Sequence, residues 1–562
     1  MADGSSRGTP MQIKNCLTAG ASALALAAMA SFATGASAHE IYLPYHAGMA
    51  VPKPITLATN GNQAPYVAPK NSKSGTWTDV AGVPFTGQGG WGPMQLTDGT
   101  ILIKQSFTGT AGVWYKLSPD KKGQYTDGTW TKIAAMPAGY SPDFFAQQVL
   151  ANGNVLIEGG EYNDQCGGGC WTNKGAIYNP VANSWSSVSP PTGWNSIGDS
   201  ESIMLPDGTY MLADCCFFGT GKQVLATISG TTVNWATPTT TWSCANNGPC
   251  MDEEGFSSLP NGDVFLVDVW NYTATSDEYW IYDTATATWT QPGSTPDRLS
   301  DTSYFELGAG PLTPQAGNQG TIIQLTANTH GGPSDVYDVA TGKWKTGPTL
   351  KVGTTTYVMA DAPAAVLPDG NVLVEASAGY GNTTPAHFWE MKTTKKGKVK
   401  ATQVNDTTTS PRSNCFTGNL LPLPTGQVLW DNSQSSTEVA LYTPKGAAKA
   451  AWLPVVSSVS NSLSVGSTGN AISGTNFNGF TLGGYYGDDA QAATNYPLVR
   501  ITNNSTGDVC FGRSYNFSTM GVWTTGTTNA VFDLPNNCET GASKLQVIVN
   551  GIASASVSVT LS

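Results

Sequence analysis

"MADAPAAVLPDGNVLVEA" (Met359–Ala376) is two apolar runs joined by Pro-Asp-Gly, with one carboxylate near its start. Asp-Gly supplies the positive-φ residues of a tight hairpin, and runs this short suit strands rather than helices. The same turn, x-[DN]-G, recurs at Asp98 ("QLTDGTILI"), Asn152, Asp207 and Asn261, and in degenerate form at Thr425 ("LPLPTGQVLW"). Successive turns lie 54, 55, 54, 108 and 56 residues apart. The doubled interval holds one more hairpin with an enlarged turn, "DTSYFELGAGPLTPQAGNQGTIIQL" (Asp301–Leu325). A fixed period of this kind marks a repeat architecture, here seven units of about 55 residues.

Each unit carries a second hairpin downstream: "YNPVANSW" (Tyr178–Trp185), "YDTATATW" (Tyr282–Trp289) and "YDVATGKW" (Tyr337–Trp344). Four strands per unit and seven units predict a β-propeller, whose sheets bury their faces only against one another. "GTWTDV", at Trp77, reads as the fourth strand of a unit yet precedes the first, so it is expected to complete the last blade and close the ring. The period stops near Trp452. Residues 453–562 then read as a separate immunoglobulin-like β-sandwich of short alternating strands. The predicted fold is therefore all-β: a seven-bladed propeller over residues 77–452 followed by that sandwich, with an irregular arm over residues 39–76.

Residues 1–38 read as a targeting segment. Residues 1–10 precede Met11 as a leading extension; Lys14, the apolar run Leu17–Phe32 and the small residues Ala36–Ala38 then follow the signal-peptide pattern. No later apolar run is long enough to span a bilayer, so a secreted or otherwise extracytoplasmic location is expected. Net charge is −12, which disfavours nucleic acid and anionic membrane as partners and leaves cations and neutral polymers. Export permits disulfides. Local candidates are Cys166 with Cys170, Cys244 with Cys250, and Cys510 with Cys538. Adjacent Cys215 and Cys216 pair with each other or elsewhere, and Cys415 is left over. The spacings do not form the repeated CxxC of a zinc site. His330 and His387 fall in the outer parts of their units and read as structural.

Together, the "LPDGNVLVEA" hairpins, the "YDxAT…W" turns, the seven units and the terminal "SGTNF" segment resemble the kelch propeller of the galactose oxidase and glyoxal oxidase family. The resemblance covers about residues 77–562. It implies a copper ion on the propeller axis, held by two tyrosines and two histidines, one tyrosine being thioether-linked to a cysteine. Several of these positions lie eight residues before the turn residue. In this register the cysteine falls on Gly90, the cross-linked tyrosine on Phe144, and a Tyr-His pair on Phe416 and Thr417. The last histidine has no counterpart, since none follows His387; the nearest segment is "GRSYNFSTMG" with Tyr515. Copper(II) takes imidazole and phenolate ligands, so copper is not expected here.

The same register places Asp199, Glu253, Asp301 and Asp361 at one equivalent point in four consecutive units, with Asp143, Glu201, Asp252 and Glu254 beside it. Asp and Glu are scarce, 39 of 562 residues. Equivalent points on innermost strands surround a propeller's axis, so these acids are expected to line one mouth of the channel. Three readings stay open: solvated acids capping their own turns or pairing with nearby lysine or arginine; ligands of a divalent cation such as Ca²⁺, which takes six to eight oxygens; or acid and base of a polysaccharide hydrolase or lyase. Trp91, next to Gly90, is the candidate to stack on a sugar. The leading function is an exported binding or structural protein associated with a saccharide or the cell envelope. The alternatives are the carbohydrate-active enzyme and the copper oxidase.

Overall fold

A computed structural model describes residues 40–41, 55–56 and 74–562, except 108–111, 164–170, 216–218, 246–249, 301–306, 317–318, 329–330, 379–382 and 488. The targeting segment, Cys166, Cys170, Cys216, Asp301 and His330 lie outside the described residues. Within residues 1–60, Glu40–Ile41 pairs antiparallel with Ile55–Thr56. Residues 61–562 are one compact unit. No helix among the described residues is long and apolar enough to cross a membrane.

The protein is all-β and propeller-like, and its turns explain why. Asp98, Asn152, Asp207 and Asp369 each accept, through Oδ1, the N–H two residues on at 2.9–3.0 Å. Their side chains thus mimic a backbone turn, while the following glycine takes the φ > 0 that closes it. That glycine sits at φ 76–85° at the four turns. Every hairpin of the turn register is an antiparallel pair: Gly90–Gln95 with Ile101–Gln105, Ala146–Val149 with Val155–Glu158, Ser202–Met204 with Tyr210–Ala213, Ser257–Ser258 with Val264–Tyr272, Leu312–Thr313 with Thr321–Gln324, Ala364–Val366 with Val372–Ala378, and Gly418–Pro422 with Val428–Asn432. The downstream hairpins pair Tyr178 with Trp185, Tyr282 with Trp289 and Tyr337 with Trp344, rings 5.0–5.3 Å apart.

Outermost strands are latched to their neighbours. Trp130, Trp185 and Trp235 donate Nε1–H to Ala81, Ala134 and Ser189 carbonyls at 3.1, 3.0 and 2.7 Å. Each carbonyl lies just past the outer strand of the preceding unit. Thr76–Asp79 pairs with Ala440–Thr443, so the first long described strand is the outer strand of the last unit. Trp77 repeats the latch onto the Asn405 carbonyl at 2.7 Å. First and last units also share one core: Ile101, Ile103 and Leu117 pack with Leu421, Leu429 and Leu441.

After Trp452 the strands from Val455–Val459 to Val557–Leu561 form a nine-stranded sheet. Cys510 and Cys538 are joined there, as are Cys244 and Cys250 within the fourth unit. Cys215 is disulfide-bonded too, and Cys415 is buried. One excursion of the C-terminal region returns to the propeller. Its Gly484–Tyr485 pairs with Ala364–Val366, the Gly487 carbonyl accepts the Ala309 N–H at 3.0 Å, and the Gln491 carbonyl accepts Gln147 Nε2–H at 3.3 Å. A segment touching innermost strands of the second, fifth and sixth units at once lies on the axis. The segment nearest to the family's last histidine, around Tyr515, ends a sheet strand, and the Tyr515 hydroxyl meets Asp533 at 2.8 Å. Of "GRSYNFSTMG" only residues 512–515 are strand, and the described residues of the excursion contribute only the two-residue strand Gly484–Tyr485.

Candidate functional site

Two clusters meet this axial loop. The first occupies the positions that the family resemblance singled out. Gly90 has no room for a side chain, because a Cβ there would stand 2.6 Å from Asp431 Oδ2. Phe144 holds φ 53°, and its ring lies 4.4 Å from Trp91. Trp91 in turn meets Tyr486 of the axial loop edge-on at 4.8 Å, and the Tyr486 hydroxyl donates to the Phe416 carbonyl at 2.5 Å. Phe107 and Tyr162 stand 6.4 and 6.1 Å from Phe144. Thr417, in the short turn of helix Cys415–Thr417, is buried and accepts from Asn432 at 3.0 Å. The register thus brings these residues together, as aromatic packing. Trp91 is fully buried, in that packing rather than at an open mouth, because Phe144 and Tyr486 cover it.

The second cluster is acidic. Asp199, Glu201, Asp214, Asp252, Glu253, Glu254 and Asp268 are 0–5 % exposed. This overturns the reading of the described acids as solvated turn caps. Ser202 faces the second unit, where Gln148 Nε2 donates to its hydroxyl at 3.2 Å. Side chains alternate along a strand, so neighbouring Glu201 faces the fourth unit and the charges of Glu253 and Glu254. One ligand atom each from Asp199, Asp252 and Cys215 lies within 4.8 Å of the others. Because Cys215 is disulfide-bonded, it offers no thiolate, and the usable donors are oxygens.

Burial first, then the charges of Asp199, Asp214 and Glu253, push the Glu201 carboxyl well above its ordinary range; its own backbone N–H pulls the other way. Glu254 is raised by burial, by Asp268 and by Glu201. Asp268 itself is well supplied, accepting from Trp242 Nε1 at 2.6 Å, Trp270 N at 2.8 Å and Asn271 N at 2.9 Å. Lys222, partly buried, is the cation that feels Asp214.

Glu253 and Asp361 hold φ 64° and 46°, the left-handed region that costs a non-glycine residue about 1–2 kcal/mol. Phe144 shares it, so three of the aligned positions, Phe144, Glu253 and Asp361, are alike in backbone. Asp361 reaches the axial loop: a Cβ on Gly487 would stand 2.4 Å from its Oδ1. Glu253 is tied to that neighbourhood through its carbonyl, which accepts the Leu307 N–H at 3.0 Å.

Three features escaped the sequence reading. Asp489, 1 % exposed on the axial loop, belongs to "GDDA", two adjacent acids in a chain with few. Asp214 and Asp268 stand six residues after their turn glycines, and Glu158, Glu375 and Asp431 five after theirs, all buried. Applying the turn register to second strands would have found them. Lys104 holds that same place in the first unit and is ion-paired with Asp143 at 2.8 Å, both side chains buried. His387 pairs with Asp406 at 2.8 Å inside the sixth unit.

No protein-family model and no curated protein matches the sequence. Among solved structures the chain is similar to a fungal alcohol oxidase of the AA5 family in complex with copper, with 13 % identity, a TM-score of 0.33 and 84 % of this chain covered against 85 % of that one. It is similar also to YjhT, with 14 % identity, a TM-score of 0.34 and 58 % of this chain covered against 99 % of that one. No family assignment follows from likenesses of this depth.

Proposed function

We propose that the chain is an exported, seven-bladed kelch-type propeller with a C-terminal immunoglobulin-like sandwich, acting as a binding or structural protein associated with a saccharide or the cell envelope. In this reading a divalent cation, Ca²⁺, neutralises the buried acids between the third and fourth units. The observation that carries it is the approach of Asp199 and Asp252 oxygens within 4.8 Å, with Glu201 turned toward the same acids. An oxygen-only donor set suits a hard cation rather than copper or zinc. Glycine, phenylalanine and threonine at the four matched positions offer no imidazole or phenolate, which supports the departure from oxidase chemistry. Acids 0–5 % exposed do not present themselves to a polymer, which favours the structural role over hydrolysis or lysis. The disulfides are compatible with an extracytoplasmic location.

Protons and a cation compete for this cluster. Glu201 and Glu254 hold protons more tightly than ordinary carboxyls, so binding a cation displaces protons and tightens as pH rises. The test is elemental analysis of the purified protein after dialysis, with and without chelator. Stoichiometric calcium, removable by chelator with loss of thermal stability, is the expected result. Stoichiometric copper, with peroxide release from galactose or glyoxal, would overturn the reading.

A further inference from the structure

The net charge of −12 conceals a face of the opposite sign. The hairpin "KTTKKGKVK" (residues 392–400) has five lysines in nine residues, all exposed. Lys392 and Lys400 are direct cross-strand partners, and like charges so placed destabilise a sheet. Lys449 is close enough that Lys395 and Lys392 act on its charge. From the neighbouring unit, Lys345 Nζ stands 3.1 Å from where a Cβ on Gly397 would be.

Among the described residues, no carboxylate lies within 4.0 Å of Lys345, Lys392, Lys395, Lys398 or Lys400. The acids that feel Lys392 are Asp369 and Glu390, and both are engaged elsewhere. Asp369 holds the N–H of its own turn, and Glu390 accepts the Tyr442 hydroxyl at 2.5 Å. Lysines on outer strands can blunt an exposed sheet edge. Yet the outer strands Thr129–Lys132, Ser184–Val188, Thr232–Trp235 and Thr288–Ser294 carry one lysine between them. Edge protection in this fold does not require such a strip.

We propose that the strip formed by Lys345, the 392–400 hairpin and Lys449 is a docking surface for an anionic polysaccharide. Lysines are mobile point charges, suited to following carboxylates or sulfates along a polymer, whereas bidentate recognition of one group favours arginine. The disulfides point to an oxidising compartment, where acidic polysaccharides are the abundant polyanions. This site is separate from the acidic cluster and independent of any cation there.

The test is binding of the full chain to immobilised heparin and alginate, with dextran as the neutral control, across a salt series. Alongside it run Lys392→Gln/Lys395→Gln/Lys398→Gln/Lys400→Gln and the corresponding four-fold Arg variant. Salt-sensitive binding to both acidic polymers and not to dextran is expected. The Gln variant should lose about tenfold or more in affinity, four exposed ion pairs being removed, while melting no lower than the wild type, and the Arg variant should retain binding. No binding at low salt, or equal binding by the Gln variant, overturns the proposal. Lysine-dependent binding that is tighter to duplex DNA or to phosphatidylserine vesicles overturns the assignment to a polysaccharide.

Discussion

Replacing Asp199 by Asn keeps an oxygen donor and removes one charge, and its effect should depend on the buffer. Asp199 and Asp252 are 2 % and 5 % exposed, with carboxylate oxygens within 4.8 Å. Two unit charges at that separation repel by about 3.5 kcal/mol at an effective dielectric constant of ~20. In chelator, Asp199→Asn relieves that repulsion and should stabilise the fold. Unfolding entropy of ~2.1 cal/mol/K per residue over about 500 residues converts the relief to a rise of roughly 3 °C in Tm. In calcium the repulsion is already offset by the ion, and the substitution removes ligand charge. A site saturated at ~1,000 times its Kd contributes about 4 kcal/mol, so the wild type gains a similar number of degrees that the variant forfeits. The variant's lead in chelator should therefore shrink to about nothing in calcium in scanning calorimetry. A lower Tm for the variant in both buffers, or no calcium effect on the wild type, would refute the reasoning.

Three further outcomes are expected. Lys104→Met leaves Asp143 buried without its partner and should cost about 3–5 kcal/mol in urea unfolding, with much of the loss recovered by Lys104→Met/Asp143→Leu. Burial, with Asp297 and Asp277 nearby, pushes the Asp335 carboxyl from 3.8 to about 8, against the pull of the Asp297 N–H, and burial pushes Asp277 from 3.8 to about 6. A raised carboxyl pKa contributes stability that is present at low pH and lost as pH climbs through the folded value. Stability should thus fall between about pH 4 and pH 8, and Asp335→Asn should flatten that slope in melts across the range. Cys510→Ser/Cys538→Ser opens a loop of 28 residues and should cost about 3–4 kcal/mol in denaturant titrations.

What the sequence disclosed follows from the range of the interactions involved. Hairpins were legible because Asp98, Asn152, Asp207 and Asp369 act within two residues of themselves. The acids were legible because a period converts a local position into a place around a ring. The axial loop was not, since its partners are far along the chain: Gln147 lies 344 residues from Gln491, and no local pattern encodes such a meeting. Nor did the register reveal which acids share a space. Asp199 meets Asp252, the residue beside its aligned partner Glu253, while Gly487 of the loop stands beside Asp361.

The strand at Trp77 has a consequence for how the molecule is made. Its partner, Tyr442, is 365 residues later in the chain. At a synthesis rate of ~5–20 residues per second, it waits roughly 20–70 s for that partner to exist. During that interval every earlier sheet can form, but the circle stays open, with an unpaired edge at each end. The axial loop is synthesised later still. The channel is thus either filled through an opening already closed, or wrapped around its plug when the circle finally shuts. In either order, a ribosome paused before the last units would leave an arc with a bare, acid-lined inner wall, and chaperone capture of such an arc is a cost built into the connectivity.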